Sequence, residues 1–303
     1  MAFRITGGTG LLGRYFTELL EEHQEDYTIL SRQAGHHDQQ SQHLQTDYSQ
    51  ASLEMIFQEG DIIIHLAGGR GPKKEISAYT SELQLAQNIF NAAAAKKCKK
   101  VIVASSISVY SETETLPWQE RDTVETIPKS LYGLNKRYIE MLAEYYTVHF
   151  GLDITCLRFS HLFGANEQNN YMINYFMRLA YLNQPLTVMG ASNVKREFLY
   201  AKDAAQAIWQ ASQYETKALI LNVKGSETLT NLEVAEQINR AFANQAPIER
   251  KDEDVKDFFA PSYMDGARAE ATIAYAPQYA FGEALQEIYH EMELLDDEIP
   301  EKY

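Results

Sequence analysis

The chain has 303 residues, with 27 Lys+Arg against 42 Asp+Glu, a formal charge of −15. That balance excludes a surface built to grip nucleic acid or an anionic membrane, because phosphates would be repelled on average. Hydrophobic residues at 45% and charged residues at 23% describe a globular chain with a substantial core, not a disordered one.

Through the first half, short apolar runs alternate with helical patterns. Strands are predicted at Phe3–Thr6, Tyr27–Leu30, Ile62–Leu66, Val101–Ser105 and Ile154–Phe159. The helices between them are Leu11–Glu22, Ser52–Gln58, Ile76–Lys97 and Leu131–His149. This rhythm predicts an α/β fold, a Rossmann-type doubly wound parallel sheet. After Phe159 the pattern mixes: a helix at Met172–Leu182, short strands at Leu186–Val188 and Glu197–Leu199, a helix at Lys202–Ser212 and a strand at Ile220–Val223. Thr230-Asn-Leu-Glu233 is a capping box that opens a helix to about Phe242. Arg250–Pro261 reads as a charged loop, and Phe281–Leu295 as a closing amphipathic helix. No glycine-, proline- or serine-rich linker separates the halves, so the second region is expected to pack on the first.

Two cysteines, Cys98 and Cys156, are too few for a disulfide framework. The segment after Met1 has no leader pattern, and no apolar run approaches the ~20 residues of a membrane span. The expectation is a soluble, cytoplasmic protein with no membrane partner.

Thr6-Gly7-Gly8-Thr9-Gly10-Leu11-Leu12-Gly13 follows the first strand and opens the first helix. This spacing lets the backbone turn tightly at Gly7, approach a pyrophosphate at Gly10 and pack the helix on the sheet at Gly13. After the second strand stand Ser31 and Arg32 and no acid, which leans toward NADP over NAD. Alternatively, Arg32 is a solvated cation or stacks on adenine. Asp47 either meets the adenine amino group or caps a turn before the next helix.

Tyr132 and Lys136 stand four apart on a predicted helix, hence on one face. An unperturbed tyrosine titrates near pH 10, and a neighbouring cation favours its phenolate. Val101-Ile-Val-Ala-Ser-Ser106 ends a buried strand with hydroxyls at its C-terminal edge, where ligands bind in open α/β sheets. Ser106 then reaches the same substrate oxygen as Tyr132.

With these motifs in order, the chain resembles the extended short-chain dehydrogenase/reductases, and among them the NAD(P)-dependent nucleotide-sugar epimerase/dehydratase family. The resemblance extends to Asp61-Ile-Ile-Ile-His-Leu-Ala-Gly68, Ser105-Ser-Ile-Ser-Val-Tyr110, Leu157-Arg-Phe-Ser-His-Leu-Phe-Gly164 and Arg196-Glu-Phe-Leu-Tyr-Ala-Lys-Asp203. It implies Ser106, Tyr132 and Lys136 as the catalytic set. It implies Gly7, Thr9, Gly10, Leu11, Leu12, Gly13, Arg32, Asp47, Leu66, Ala67, Gly68, Ser105, Tyr132 and Lys136 around NAD or NADP. Ser106, His161 and Arg196 are implied on the substrate side, Arg196 as a diphosphate ligand; the plainer alternative for Arg196 is a salt bridge to Glu197 or Asp203. The chain departs from the family pattern at His161 and Glu82, where asparagines are usual. It also lacks the Asp-Glu pair that dehydratases place after their Ser/Thr, which weighs against water elimination.

The implied domains are an NAD(P)-binding domain at 1–163 rejoined by 197–225, and a smaller mixed α/β substrate region from 164–196 and 226–303. The implied activity is 4-epimerisation of a UDP-sugar such as UDP-N-acetylglucosamine, with reduction of a keto sugar by NADPH as the runner-up and a non-catalytic NAD(P)-binding protein third. The resemblance also implies a homodimer through Ile76–Lys97 and the Tyr132 helix. Lys96–Lys100 reads as a solvated helix end, and His36, His37 and His43 lack the partners of a metal site. Seven of the excess negative charges fall in Glu283–Tyr303, while Arg158, Lys195 and Arg196 are assigned to the substrate cleft.

Overall fold

Alternation of buried apolar strands and amphipathic helices produces the expected parallel sheet, seven-stranded among the described residues. The computed structural model describes residues 2–33, 42–69, 73–112, 115–124, 126–215, 219–257, 259–294 and 299. The first half runs β1 (Phe3–Thr6), α1 (Leu11–Glu22), β2 (Tyr27–Ser31), β3 (Gln42–Gln45), α2 (Gln50–Ile56), β4 (Ile62–His65), α3 (Thr80–Ala95), β5 (Lys100–Ser106), α4 (Leu131–Phe150) and β6 (Ile154–Phe159). The second half runs β7 (His161–Phe163), α5 (Met172–Tyr181), β8 (Leu186–Met189), β9 (Arg196–Tyr200), α6 (Ala201–Gln213), β10 (Leu219–Val223), β11 (Thr228–Leu229), α7 (Asn231–Ala241), β12 (Ile248–Lys251), α8 (Ala267–Ile273) and α9 (Phe281–Leu294). Short 3-10 turns stand at Ile76–Tyr79, Ile107–Val109 and Glu120–Thr123.

The main sheet has the order β10-β6-β5-β4-β1-β2-β3, and every neighbouring pair is parallel. Ile62, Ile63 and Ile64 of β4 are fully buried, as a central strand covered on both faces requires. Helices α1 and α6 cover one face; α2, α3 and α4 cover the other. On α1, Leu12, Tyr15, Phe16 and Leu20 recur at helical spacing and are the residues it buries. The β7-β9-β11 and β8-β12 sheets, with α5, α7 and α9, form the rest. One continuous core runs from Ile5 and Phe16 through Phe163 and Phe198 to Leu285 and Ile288. The second region is therefore packed on the first.

The capping box before α7 is formed: Thr230 Oγ1 accepts from Glu233 N at 3.2 Å and the Glu233 carboxylate accepts from Thr230 N at 2.8 Å. One expectation is corrected at Arg250–Pro261, because Arg250 and Lys251 belong to β12, paired in parallel with β8. Among the described residues no helix is long and apolar enough to cross a membrane. His36, His37 and the last three residues lie outside the described residues.

Candidate active site

The glycine turn lies at the C-terminal end of β1. Gly7 has φ of +76°, and a Cβ there would stand 2.6 Å from Ala67 N. A Cβ on Gly13 would stand 2.3 Å from Gly7 O, so glycine alone lets α1 start against its own turn. Gly10 caps α1 with its backbone, and no side chain satisfies the first-turn N–H groups. An uncapped helix N-terminus reached across bare glycine backbone fits a dinucleotide pyrophosphate. Thr9, Leu11 and Leu12 share this turn, and Leu12 is buried. Across from it, Leu66 N bonds Thr6 O at 3.0 Å, which places Leu66, Ala67 and Gly68 beside the turn.

At the end of β2, the Arg32 guanidinium lies 5.6 Å from the centre of the Tyr48 ring. The Asp47 carboxylate accepts from Ser49 N at 2.9 Å and Ser49 Oγ at 2.7 Å, and these bonds hold its pKa below the usual carboxylate value. Ser49, not Asp47, caps α2.

Tyr132 opens α4 after the Ser130 cap, whose Oγ accepts from Gly133 N at 3.0 Å. Lys136 Nζ donates to Ala104 O at 3.0 Å and lies 5.8 Å from the Tyr132 ring centre. Ser106 ends β5, and its Oγ accepts from Ser108 N at 3.1 Å. Gly133, unnoticed in the sequence, makes this convergence possible: a Cβ there would stand 1.8 Å from Ser108 O. The first turn of α4 thus lies flush against the Ser106–Ser108 turn. His65 is buried at the floor, 2.9 Å from Thr6 Oγ1, and burial followed by the Lys136 charge pulls its pKa down to about 3.

Among the residues expected on the substrate side, His161 Nδ1 lies 3.0 Å from Glu197 O. A carbonyl only accepts, so Nδ1 carries the proton and Nε2 is left as an acceptor. Burial, then the Arg196 charge, pulls the pKa of His161 down to about 3, keeping it neutral. The Arg196 guanidinium lies 4.8 Å from the Phe259 ring centre and 5.7 Å from that of Phe198, and desolvation lowers its pKa. Among the described residues it forms no ion pair. Glu197 is buried, with its pKa pushed up to about 8 by desolvation, and Asp203 accepts from Gln278 N at 2.8 Å. The salt-bridge alternative for Arg196 is thereby set aside, and the guanidinium is available for an anion.

Two expectations change. Ser105, expected at the cofactor, directs its Oγ to Glu140 Oε1 at 2.6 Å, inside the protein. Arg158, expected in the cleft, is fully buried and spends all five N–H donors internally. Its Nε and Nη2 donate to the two Glu140 carboxylate oxygens at 2.8 Å each. Tyr110 Oη at 3.0 Å, Glu120 O at 3.1 Å and Thr123 Oγ1 at 2.9 Å take the rest. Of the three cations expected at the cleft, Arg196 and the exposed Lys195 are left without an internal partner set of this kind.

A parallel sheet with a glycine cradle and a Ser, Tyr and Lys set at its C-terminal edge defines a dinucleotide-linked enzyme of the α/β class. The chain belongs to the NAD dependent epimerase/dehydratase family, which it matches over residues 4–223. It is 36% identical to the UDP-N-acetylglucosamine 4-epimerase of Bacillus cereus, covering 100% of each chain with a TM-score of 0.91. It is 26% identical over 263 residues to the UDP-N-acetyl-alpha-D-glucosaminuronate decarboxylase of Bacillus cytotoxicus, covering 80% of this chain and 81% of that one. The Bacillus cereus UDP-glucuronic acid 4-epimerase, solved with UDP-glucuronic acid and NAD, shares the fold at 21% identity, with a TM-score of 0.83 over 97% of this chain and 100% of that one.

Proposed function

We propose that the protein is a nucleotide-sugar 4-epimerase acting on a UDP-sugar such as UDP-N-acetylglucosamine, with Tyr132 as its proton acceptor and donor. The observation that carries this reading is the meeting of Ser106, Tyr132 and Lys136 beside the glycine cradle. A bound nicotinamide dinucleotide supplies the hydride acceptor and donor. Ser106 Oγ accepts from Ser108 N, which leaves its own proton free for donation to the substrate oxygen. Tyr132 takes the proton of the C4 hydroxyl as hydride leaves C4, giving a 4-ketosugar. After the sugar turns over, Tyr132 returns the proton as hydride comes back to the opposite face. Oxidation and reduction cancel, so no external reductant is consumed. Arg196 holds the diphosphate, and neutral His161 accepts a sugar hydroxyl through Nε2. The 36% identity to a UDP-N-acetylglucosamine 4-epimerase across both whole chains supports the substrate class.

We read the cofactor as NAD, which the solved UDP-glucuronic acid 4-epimerase holds. Incubation with UDP-N-acetylglucosamine and related UDP-sugars, without added cofactor, is expected to yield the C4 epimer by proton NMR. No conversion of any nucleotide sugar would refute the reading. Arg32 and the lack of an acid after β2 favour a second one, an NADPH-dependent reductase. In that case NADPH absorbance falls stoichiometrically with substrate.

A homodimer is part of the same reading. Leu134, Tyr138, Met141, Tyr145 and Val148 are exposed along α4 at alternating spacings of four and three, a seam suited to another helix. Met141→Lys is expected to shift sedimentation from dimer to monomer; an unchanged dimer would place the interface elsewhere.

A further inference from the structure

Glu82 is a buried carboxylate in the first turn of α3 that the catalytic scheme does not use. Its Oε1 accepts from Gly69 N at 2.9 Å and from Lys73 Nζ at 3.2 Å. Its Oε2 accepts from Asn135 Nδ2 at 3.1 Å, one residue before Lys136. Gly69 and Glu82 are mutually fitted, since a Cβ on Gly69 would meet Oε1 at 2.6 Å and Lys73 Nζ at 2.8 Å. A Cβ on Gly68 would stand 3.5 Å from both Glu82 Oε2 and Lys136 Nζ. The carboxylate and the Lys136 ammonium thus flank one glycine, at the Tyr132 end of the cofactor groove.

We propose that Glu82 is a charge-setting, positioning residue that makes the groove favour the oxidised dinucleotide over the reduced one. This rests on the dinucleotide assignment but not on the identity of the sugar. Oxidised nicotinamide carries a positive charge that the reduced ring lacks, so a fixed anion at that end favours the oxidised form, and a fixed cation opposes it. Lys73 and Lys136 place two cations there, and Glu82 is the anion among them that touches both Gly69 and Lys73. An epimerase needs this bias, because each cycle begins with oxidation of the sugar. A reductase would be hindered by it.

The test is the ratio of dissociation constants for NAD+ and NADH, measured on the full chain by NADH fluorescence and NAD+ competition. Glu82→Gln keeps the size and an acceptor for Gly69 N but removes the charge. It is expected to raise the NAD+/NADH ratio of constants about fivefold. Lys73→Met removes the opposing charge and is expected to lower the ratio about twofold or more. A purely structural role would weaken both forms alike and would not give opposite signs. A ratio within experimental error of wild type in Glu82→Gln, or a rise in Lys73→Met, overturns the proposal. Should Glu82→Gln fail to fold by circular dichroism, Lys73→Met decides it alone. A wild-type chain that, once freed of any dinucleotide it carries, binds neither form overturns the dinucleotide assignment as well, whereas absence of sugar turnover overturns only the substrate reading.

Discussion

Tyr132→Phe is expected to lower turnover of the UDP-sugar by about 10²–10⁴-fold, the range for loss of a positioned proton-transfer group. Only the hydroxyl is removed. The ring stays at the start of α4, half-buried and beside Lys136, and among the described residues no hydrogen bond holds that hydroxyl. The melting temperature should therefore stay within ~2 °C of wild type. In the proposed scheme the phenol acts on the proton and not on binding, so KM should change little while kcat falls. Turnover within tenfold of wild type in Tyr132→Phe would remove Tyr132 from the mechanism and leave Ser106 and Lys136 without a partner.

The central sheet was legible where burial leaves its mark on composition. Phe3–Thr6 and Ile154–Phe159 match β1 and β6, since strands covered on both faces are mostly apolar, with Arg4 and Arg158 as their charged members. Strands at the margins carry no such mark. β3 is Gln-His-Leu-Gln and β12 is Ile-Glu-Arg-Lys, and both pair along one edge only, so neither needs apolar residues. In the site, the order of motifs brought Ser106, Tyr132 and Lys136 together on paper. The direction of side chains did not follow from motif order. Successive residues of a strand point to opposite faces, so Ser105 and Ser106 cannot both line the groove. That periodicity was available and separates the two serines, and the structure turns Ser105 to Glu140. Gly133 against Ser108 and Gly69 against Glu82 are tertiary fits between segments remote in sequence, which no local pattern encodes.

The same alternation explains the largest expected effect on stability, at Arg158. Arg158→Ala would leave the Glu140 carboxylate buried with the weaker Arg137 contact at 3.3 Å as its remaining ion pair. Removing one partner of a fully buried pair costs about 3–5 kcal/mol, and Tyr110, Thr123 and the Glu120 carbonyl lose their donor too. The midpoint of urea unfolding should fall accordingly. Replacing both charges, as Arg158→Met with Glu140→Leu, is expected to recover most of the loss, because the penalty lies in the orphaned charge and not in the absent attraction. A double variant as unstable as the single one would mean that Arg158 acts through its bonds to Tyr110 and Thr123 instead. Either result bears on the cleft. Ser105 donates to Glu140 and is followed directly by Ser106, so loss of the pair also loosens the end of β5. The cation that sequence order assigned to the cleft thus fixes the strand that ends at Ser106, and in the proposed reading Arg196 and Lys195 are left to meet a diphosphate.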